Sequence, residues 1–370
     1  MTENPGFFLT VIAFLLVLGP LVFVHEMGHY LVGRWFGVKA ETFSIGFGRE
    51  IKGWTDKRGT RWKIGILPLG GYVQFAGDMD PAGRTDPEWL TMPAEQRNQT
   101  FQSKSLWQRA LIVFAGPAIN FLFAILILAG FAFAYGKSVT PAEIAMVAPE
   151  SAAAEAGLLP GDRIVAIDGE AIEWFDEIGR RVAHRPGEPI ALTIDRGGTS
   201  REIDLTIGTI VEKDRFGNEY RIGQLGVASI KPVLRDVPLW EAPIVAVDRT
   251  GDIVTLMVES IGQIITGRRS VKELGGPLKI AQISGEQFVA GAERFIFLIA
   301  LISINLGFIN LLPIPMLDGG HLLFYAVEAV RRKPANPRVM EWAFRSGLAL
   351  VLALMLFVTF NDLVSFGLFR

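Results

Sequence analysis

The sequence predicts an α-helical membrane bundle of four spans that carries a separate β-rich domain outside the bundle. Three observations predict it. Of 370 residues, 50% are hydrophobic and only 20% charged, with a mean hydropathy of +0.35, whereas soluble domains carry about 25% charge. Four long runs lack any charged side chain, and Lys and Arg gather in two of the segments that join them. The net charge of -2 and pI near 6.2 give no electrostatic case for a nucleic-acid partner. The absence of cysteine excludes disulfides, Cys-ligated zinc, iron–sulfur clusters and a Cys nucleophile.

Crossing the hydrocarbon takes about 20 apolar residues. The first run, Gly6 to Val24, ends directly at His25; Glu3 and the lack of Lys or Arg before it argue against a cleaved signal peptide. Ala110 to Tyr135 is the longest run, too long for an ordinary core helix. Phe295 to Leu317 is the third, interrupted by Pro313 and Pro315. Ser346 to Asn361 is the fourth, and is short unless Asp362 lies at the membrane interface.

Residues 1–33 contain no Lys or Arg, residues 34–109 contain twelve, and Arg331, Arg332, Lys333, Arg338 and Arg345 lie between the third and fourth runs. Positive loops stay on the cytoplasmic side. Lys57 and Arg332 are therefore expected inside, and Asp195 and Arg370 outside. The expectation is an N-out, C-out, multi-pass protein of a bacterial inner membrane, with segment 136–294 in the periplasm. The expected divisions are 1–135 (spans one and two with the loop 36–109), a domain over 136–235, an amphipathic membrane-associated connector over 236–292, and spans three and four over 293–370.

Within 136–235, short β-rich runs (Ile164–Ile167, Ile190–Ile194, Ile203–Ile207) alternate with turn signals at Asp168-Gly169 and Gly197-Gly198. The stretch 152–169, AAAEAGLLPGDRIVAIDG, resembles the PDZ-domain signature. That resemblance implies an α+β fold whose groove takes an extended peptide by β-addition. It also implies a carboxylate-holding loop, for which Leu225 and Gly226 in Gln224–Val227 are the candidates; an ordinary turn into a strand is the alternative. From Pro238 to Gly267 apolar residues recur at helical spacing, as in a helix lying on a membrane or on the PDZ-like domain.

The chemistry starts at His25-Glu26-Met27-Gly28-His29. On a helix, positions i and i+4 share a face, so two imidazoles converge on one Zn2+ while the Glu between them serves as general base. The motif continues an apolar helix without a break, and ionisable groups at membrane depth are costly and by default functional. Catalytic zinc takes three protein ligands. A third His at the metzincin spacing is excluded because Val32 and Trp35 stand where Gly and His are needed. Glu50 sits among Gly46, Gly48 and Gly53, so no rigid helix presents it.

The remaining candidates are Asp318 and His321, after the third run. Asp318 is favoured, because a carboxylate partly neutralises the dication at low dielectric and Gly319-Gly320 permit a close turn. His321 is then left to support the site or to start the next helix.

Together, H-E-x-x-H in the first run and NLLPIPMLDG over 310–319 resemble the site-2 protease family of intramembrane zinc metalloproteases, and more closely its RseP-type regulators of bacterial envelope-stress signalling. Ile45–Gly48 and Pro68–Val73 resemble that group's cytoplasmic membrane-associated β-hairpin, Gly116–Asn120 its second span, and Gly275–Ala281 the stretch before its third. The best-known members carry two PDZ domains, whereas 136–235 has room for one.

The resemblance implies that the substrates are transmembrane segments of single-span proteins, of anti-sigma-factor or remnant-signal-peptide type, already shortened by a site-1 protease. Such a helix hides its peptide bonds from lipid and water. Cutting it requires unwinding, and an edge strand with Gly46, Gly48, Gly70 and Gly71 can pair with the freed backbone. Asn310, an amide within an apolar span, either binds substrate backbone or bonds a neighbouring helix. A non-catalytic PDZ scaffold and a membrane-anchored peptidase for soluble substrates are the rival readings. A scaffold has no need of His25, Glu26, His29 and Asp318 together, and the depth of the motif disfavours the second rival.

Overall fold

The computed structural model describes residues 5–77, 92–213, 219–229, 231–266, 275–333 and 337–365. The C-terminal Arg370, and with it the expected placing of the C-terminus, lies outside the described residues, as do 78–91 of the charged loop. In chain order the elements are α1 (Phe7–Trp35), β1 (Ala40–Thr55), β2 (Arg61–Phe75), α2 (Ala94–Arg97), α3 (Leu106–Tyr135), β3 (Lys137–Val139), β4 (Ile144–Val147), α4 (Ala152–Glu155), β5 (Arg163–Ile167), β6 (Glu170–Ala171), α5 (Phe175–Val182), β7 (Pro189–Arg196), β8 (Thr199–Thr206), β9 (Gly208–Lys213), β10 (Glu219–Gln224), β11 (Val227–Ser229), β12 (Val233–Arg235), α6 (Ala242–Ile265), α7 (Pro277–Ala290), α8 (Ala292–Leu311), α9 (Asp318–Arg331) and α10 (Pro337–Ser365). The chain forms two compact units, one from 1–130 with 240–370 and the other from 131–239.

In the first unit, α1, α3, α8 and α10 are long and apolar enough to cross a membrane. The chain is a multi-pass membrane protein. Its two first spans run past the uncharged segments, since α1 carries His25, Glu26 and His29 within the helix. Close approach of α1 and α3 depends on glycine: a Cβ at Gly28 would stand 2.8 Å from the Ala115 carbonyl carbon. Ala13, Val17 and Leu21 of α1 are buried with Phe295 of α8, and Ala124 and Leu128 of α3 with Ala300 and Ile304 of α8 and Ala246 of α6.

The third span corrects the sequence expectation. It stops at Leu311, so Pro313 and Pro315 end the helix rather than bend it, and Asp318 opens α9 instead of closing the span. Residues before proline are driven out of the helical region, and Leu312 is extended at ψ 142°. Two tight turns follow, Ile314 N–H to Leu312 O at 2.7 Å and Leu317 N–H to Ile314 O at 3.0 Å, and Met316 is left-handed at φ 87°. Gly320 lets α9 fold back on this turn, since a Cβ there would lie 2.8 Å from Pro315 Cα.

Two further differences concern the last span and the connector. Asp362 does not mark a free interface: it is fully buried within α10, where its carboxylate accepts Gly276 N–H at 3.0 Å and Lys279 N–H at 3.1 Å and so caps α7. The connector holds α6 where the amphipathic pattern places it, and a second helix, α7, which that pattern missed.

β1 and β2 form the expected hairpin, and each strand is longer than the motifs suggest. Thr42–Ile45 have partners in Gly71–Gln74 and also in Arg61–Ile64, so the two strands fold back on themselves. Gly46 and Gly48, at φ 88° and 84°, supply the irregularities that this requires. Phe43 is fully buried beneath the fold, stacked 4.4 Å from Trp62.

The second unit is α+β. Its four-stranded antiparallel sheet has the order β6-β5-β7-β8, with β9-β10, β11-β4 and β12-β3 as separate pairs. Ile164, Ile167 and Ile207 fill the core with Leu192 and Ile194, which alternate along β7. Asp162 is 1% exposed and anchors β5 to β7: Arg196 Nε and Nη2 donate to its two oxygens at 2.6 Å each. This hydrogen bonding to Arg196 holds the Asp162 carboxyl below its usual range.

Candidate metal centre

Helical periodicity alone aligns His25 and His29 on one face of α1, and their Nε2 atoms are 3.3 Å apart. The turn after α8 brings in the third group from the far end of the chain. Asp318 Oδ2 lies 3.3 Å from His25 Nε2, and Oδ1 lies 3.5 Å from His29 Nε2. Among the described residues, His25, His29 and Asp318 form a cluster of metal-ligand type, with ligand atoms all within 4.8 Å of one another.

Zinc fits this triangle. Tetrahedral bonds of about 2.1 Å place ligand atoms about 3.4 Å apart; the two Nε2 atoms stand 3.3 Å apart, and each Asp318 oxygen lies 3.3 or 3.5 Å from one of them. Two neutral imidazoles and one carboxylate are the donor set of a hydrolytic zinc, with a fourth position left for the reaction.

α3 supports the pair from behind. His29 Nδ1 is 2.9 Å from the Ile112 carbonyl, and His25 Nδ1 is 3.1 Å from the side-chain amide of Asn120, which is fully buried. Between these, Gly116 leaves room for the rings; a Cβ there would stand 2.9 Å from His25 Cε1. Asn120 is the site residue that sequence reasoning passed over. Its signal was there, as the one amide in the uncharged run Ala110–Tyr135.

Glu26 is 8% exposed and lines the same cavity as Gly71, Tyr72 and Val73 of β2. The edge of β2 therefore runs beside the presumptive base: a Cβ on Gly71 would lie 2.6 Å from Ser44 O and 3.0 Å from Glu26 Cγ. A cavity of about 490 Å³ opens here, lined among others by His25, Glu26, His29, Asp318, Gly70, Gly71 and Asn310.

Gly70, Gly71 and Asn310 thus reach the site, whereas Gly46 and Gly48 serve the bulges of β1 and do not line the cavity. Among the described residues the Asn310 side-chain amide has no hydrogen-bond partner, so nothing there engages it in a helix–helix bond. His321 also lines the cavity but stands outside the triangle, its ring 4.9 Å from Phe344. Glu50 is ion-paired with Arg61 in the hairpin. In the other unit, Leu225 is buried and Gly226 is left-handed at φ 81° where the chain enters β11; their carbonyls accept Ala153 N–H and Ala148 N–H.

An apolar bundle holding H-E-x-x-H and a distant carboxylate around one cavity defines a membrane-embedded metallopeptidase. The chain belongs to peptidase family M50, the site-2 proteases, whose model matches residues 13–354. A relative from Agrobacterium fabrum, named as a candidate zinc metalloprotease, is 46% identical over 96% of each chain. Metalloprotease MmpA of Caulobacter vibrioides is 36% identical over 99% of this chain and 98% of its own. A solved PDZ domain from an SdrC-like protein of Listeria monocytogenes covers 24% of this chain and 85% of its own at 21% identity, with a TM-score of 0.20, too slight a likeness to bear on the fold. The protein is a zinc metalloendopeptidase.

Proposed function

We propose that this protease cuts the transmembrane segments of single-span proteins, of anti-sigma-factor or remnant-signal-peptide type, after a site-1 protease has shortened them. The observation that carries the reading is the run of β2 past Glu26. A transmembrane helix cannot be hydrolysed until it is unwound, and its freed N–H and C=O groups then need partners. The Gly70–Gly71 edge offers them within reach of the base, and Asn310 offers one more. Bound zinc supplies Lewis acidity to the scissile carbonyl and acidifies the attacking water. His25, His29 and Asp318 hold it. Glu26 takes the proton from that water and passes it to the leaving amine.

The same reading places the protein in a bacterial inner membrane, N-out and C-out. The unit 131–239 is then a single periplasmic PDZ-like domain, and Leu225-Gly226 is its candidate carboxylate loop. The 152–169 signature and the α+β sheet support this. Envelope-stress signalling is the role that fits a protease acting second in such a sequence.

The decisive experiment measures zinc content and cleavage of a shortened single-span substrate by purified protein. Glu26→Gln is expected to keep its zinc and to lose cleavage by at least about 10³-fold, within the range for a general base. Near-normal turnover in Glu26→Gln would overturn the mechanism. Cleavage of soluble peptides in preference to the membrane substrate would favour an anchored peptidase.

A further inference from the structure

The two histidines are held alike from behind, and the likeness assigns a role to Asn120 that rests on the metalloprotease reading above. A neutral imidazole has one nitrogen that donates and one that accepts. The Ile112 carbonyl can only accept, so His29 carries its proton on Nδ1 and presents a lone pair at Nε2. The Nε2 of His25 also faces the triangle, 3.3 Å from Asp318 Oδ2. Its lone pair is free for a metal only if its proton too sits on Nδ1, and the group facing that Nδ1 is the Asn120 carboxamide at 3.1 Å.

A carboxamide can face the ring with its oxygen or with its nitrogen, two orientations of the same shape, and in this structure Nδ2 is the atom 3.1 Å from His25 Nδ1. With nitrogen facing His25, Oδ1 is buried and has no partner among the described residues, so no second bond fixes that orientation. His25 itself decides it. We propose that Asn120 is a positioning residue that accepts His25 Nδ1–H through Oδ1, fixing the tautomer and the aim of the Nε2 lone pair toward the metal.

The register of the helices supports the assignment. Ile112, Gly116 and Asn120 are successive i, i+4 positions of α3, opposite His29 and His25 at the same spacing on α1. Antiparallel helices in contact place 112 beside 29 and 120 beside 25, with Gly116 giving clearance between them. The backbone carbonyl of Asn120 in turn accepts the buried Ser303 Oγ–H at 2.8 Å, which ties α8 to this level. Partners that hold the non-ligating nitrogen of a metal-bound His commonly change metal affinity 10- to 100-fold.

The test is zinc affinity by chelator competition on the purified full-length chain, with metal-free thermal melting as the folding control. Asn120→Leu keeps the volume and removes the acceptor, and is expected to weaken zinc binding about 10- to 100-fold. Asn120→Asp retains an acceptor and is expected to stay within about threefold of wild type. Ser303→Ala, which removes only the bond to the Asn120 carbonyl, should likewise stay within about threefold. Should Asn120→Leu fail to fold, Asn120→Ala is measured in its place with the same expectation. Wild-type affinity in the folded Leu or Ala variant would overturn the proposal, and so would an Asp variant as weak as Leu. A wild-type chain that binds no zinc would instead overturn the metalloprotease reading itself.

Discussion

Asp318 and His321 stand three residues apart, and only the first joins the triangle with His25 and His29. Asp318→Asn is expected to reduce zinc retention at least tenfold and to abolish cleavage, while His321→Ala keeps zinc and part of the activity. Zinc analysis of both purified variants checks this; loss of metal on His321→Ala with retention on Asp318→Asn would reverse the assignment. Gly116→Ala places a methyl group against both rings, and should weaken zinc binding without altering the ligands, a change read by the same chelator competition. At this scale the sequence was largely legible. H-E-x-x-H is local, and a carboxylate in an apolar context is conspicuous. Asn120 was not singled out because its importance depends on which residue of α1 lies opposite, and that register is tertiary. Gly46 and Gly48 could not be told apart from Gly70 and Gly71 for a related reason: a glycine at a bulge and a glycine lining the cavity look alike until pairing is known.

Among the elements, the proline pair shows how a local rule can be correct and its consequence misplaced. Pro313 and Pro315 do interrupt the apolar run, but they end α8, and the ligand rides on the first turn of the next helix. Hydropathy runs on through Leu317 because the turn is apolar too, so periodicity could not mark the boundary. α7 escaped notice because its N-terminal cap comes from Asp362, 86 residues away, as 362 minus 276. In the second unit, the Asp162–Arg196 pair supports a pH prediction. Asp162 has its folded pKa lowered by the Arg196 hydrogen bonds. Its contribution to stability is thus complete above the unfolded carboxylate value of about 3.9 and is lost as pH falls through the lower folded value. Thermal melts from pH 7 down to pH 2 should show that Asp162→Asn lowers the melting temperature by a constant amount above about pH 4 and by progressively less below it. A deficit independent of pH would remove the electrostatic explanation.

For the whole molecule, four spans and a separate α+β unit were legible because hydropathy and turn chemistry are properties of the chain itself. Sidedness rests on charge counting alone. Cysteine labelling in this cysteine-free sequence should find Lys57→Cys and Arg332→Cys accessible only from the cytoplasmic side and Asp195→Cys from the other; the reverse pattern would invert the topology. If the unit 131–239 filters substrates by size, deleting 140–230 should leave cleavage of a shortened substrate within a few-fold of wild type and make an unshortened one cleavable. Loss of cleavage of the shortened substrate, in a protein that still inserts and binds zinc, would assign that unit to docking instead.

The metal cluster joins residues 25 and 29 to residue 318, so 288 residues (30 to 317) are threaded between the second histidine and the aspartate. Seen in time rather than space, this sets an order of assembly. The ribosome delivers both histidines and the base into the membrane first, then the hairpin edge, then the whole inserted unit, and the last corner only after residue 318 has been made. Until that moment the nascent polypeptide holds two imidazoles and a glutamate without the third group of the cluster. The order of the corners along the gene delays the first possible cut until synthesis is far advanced.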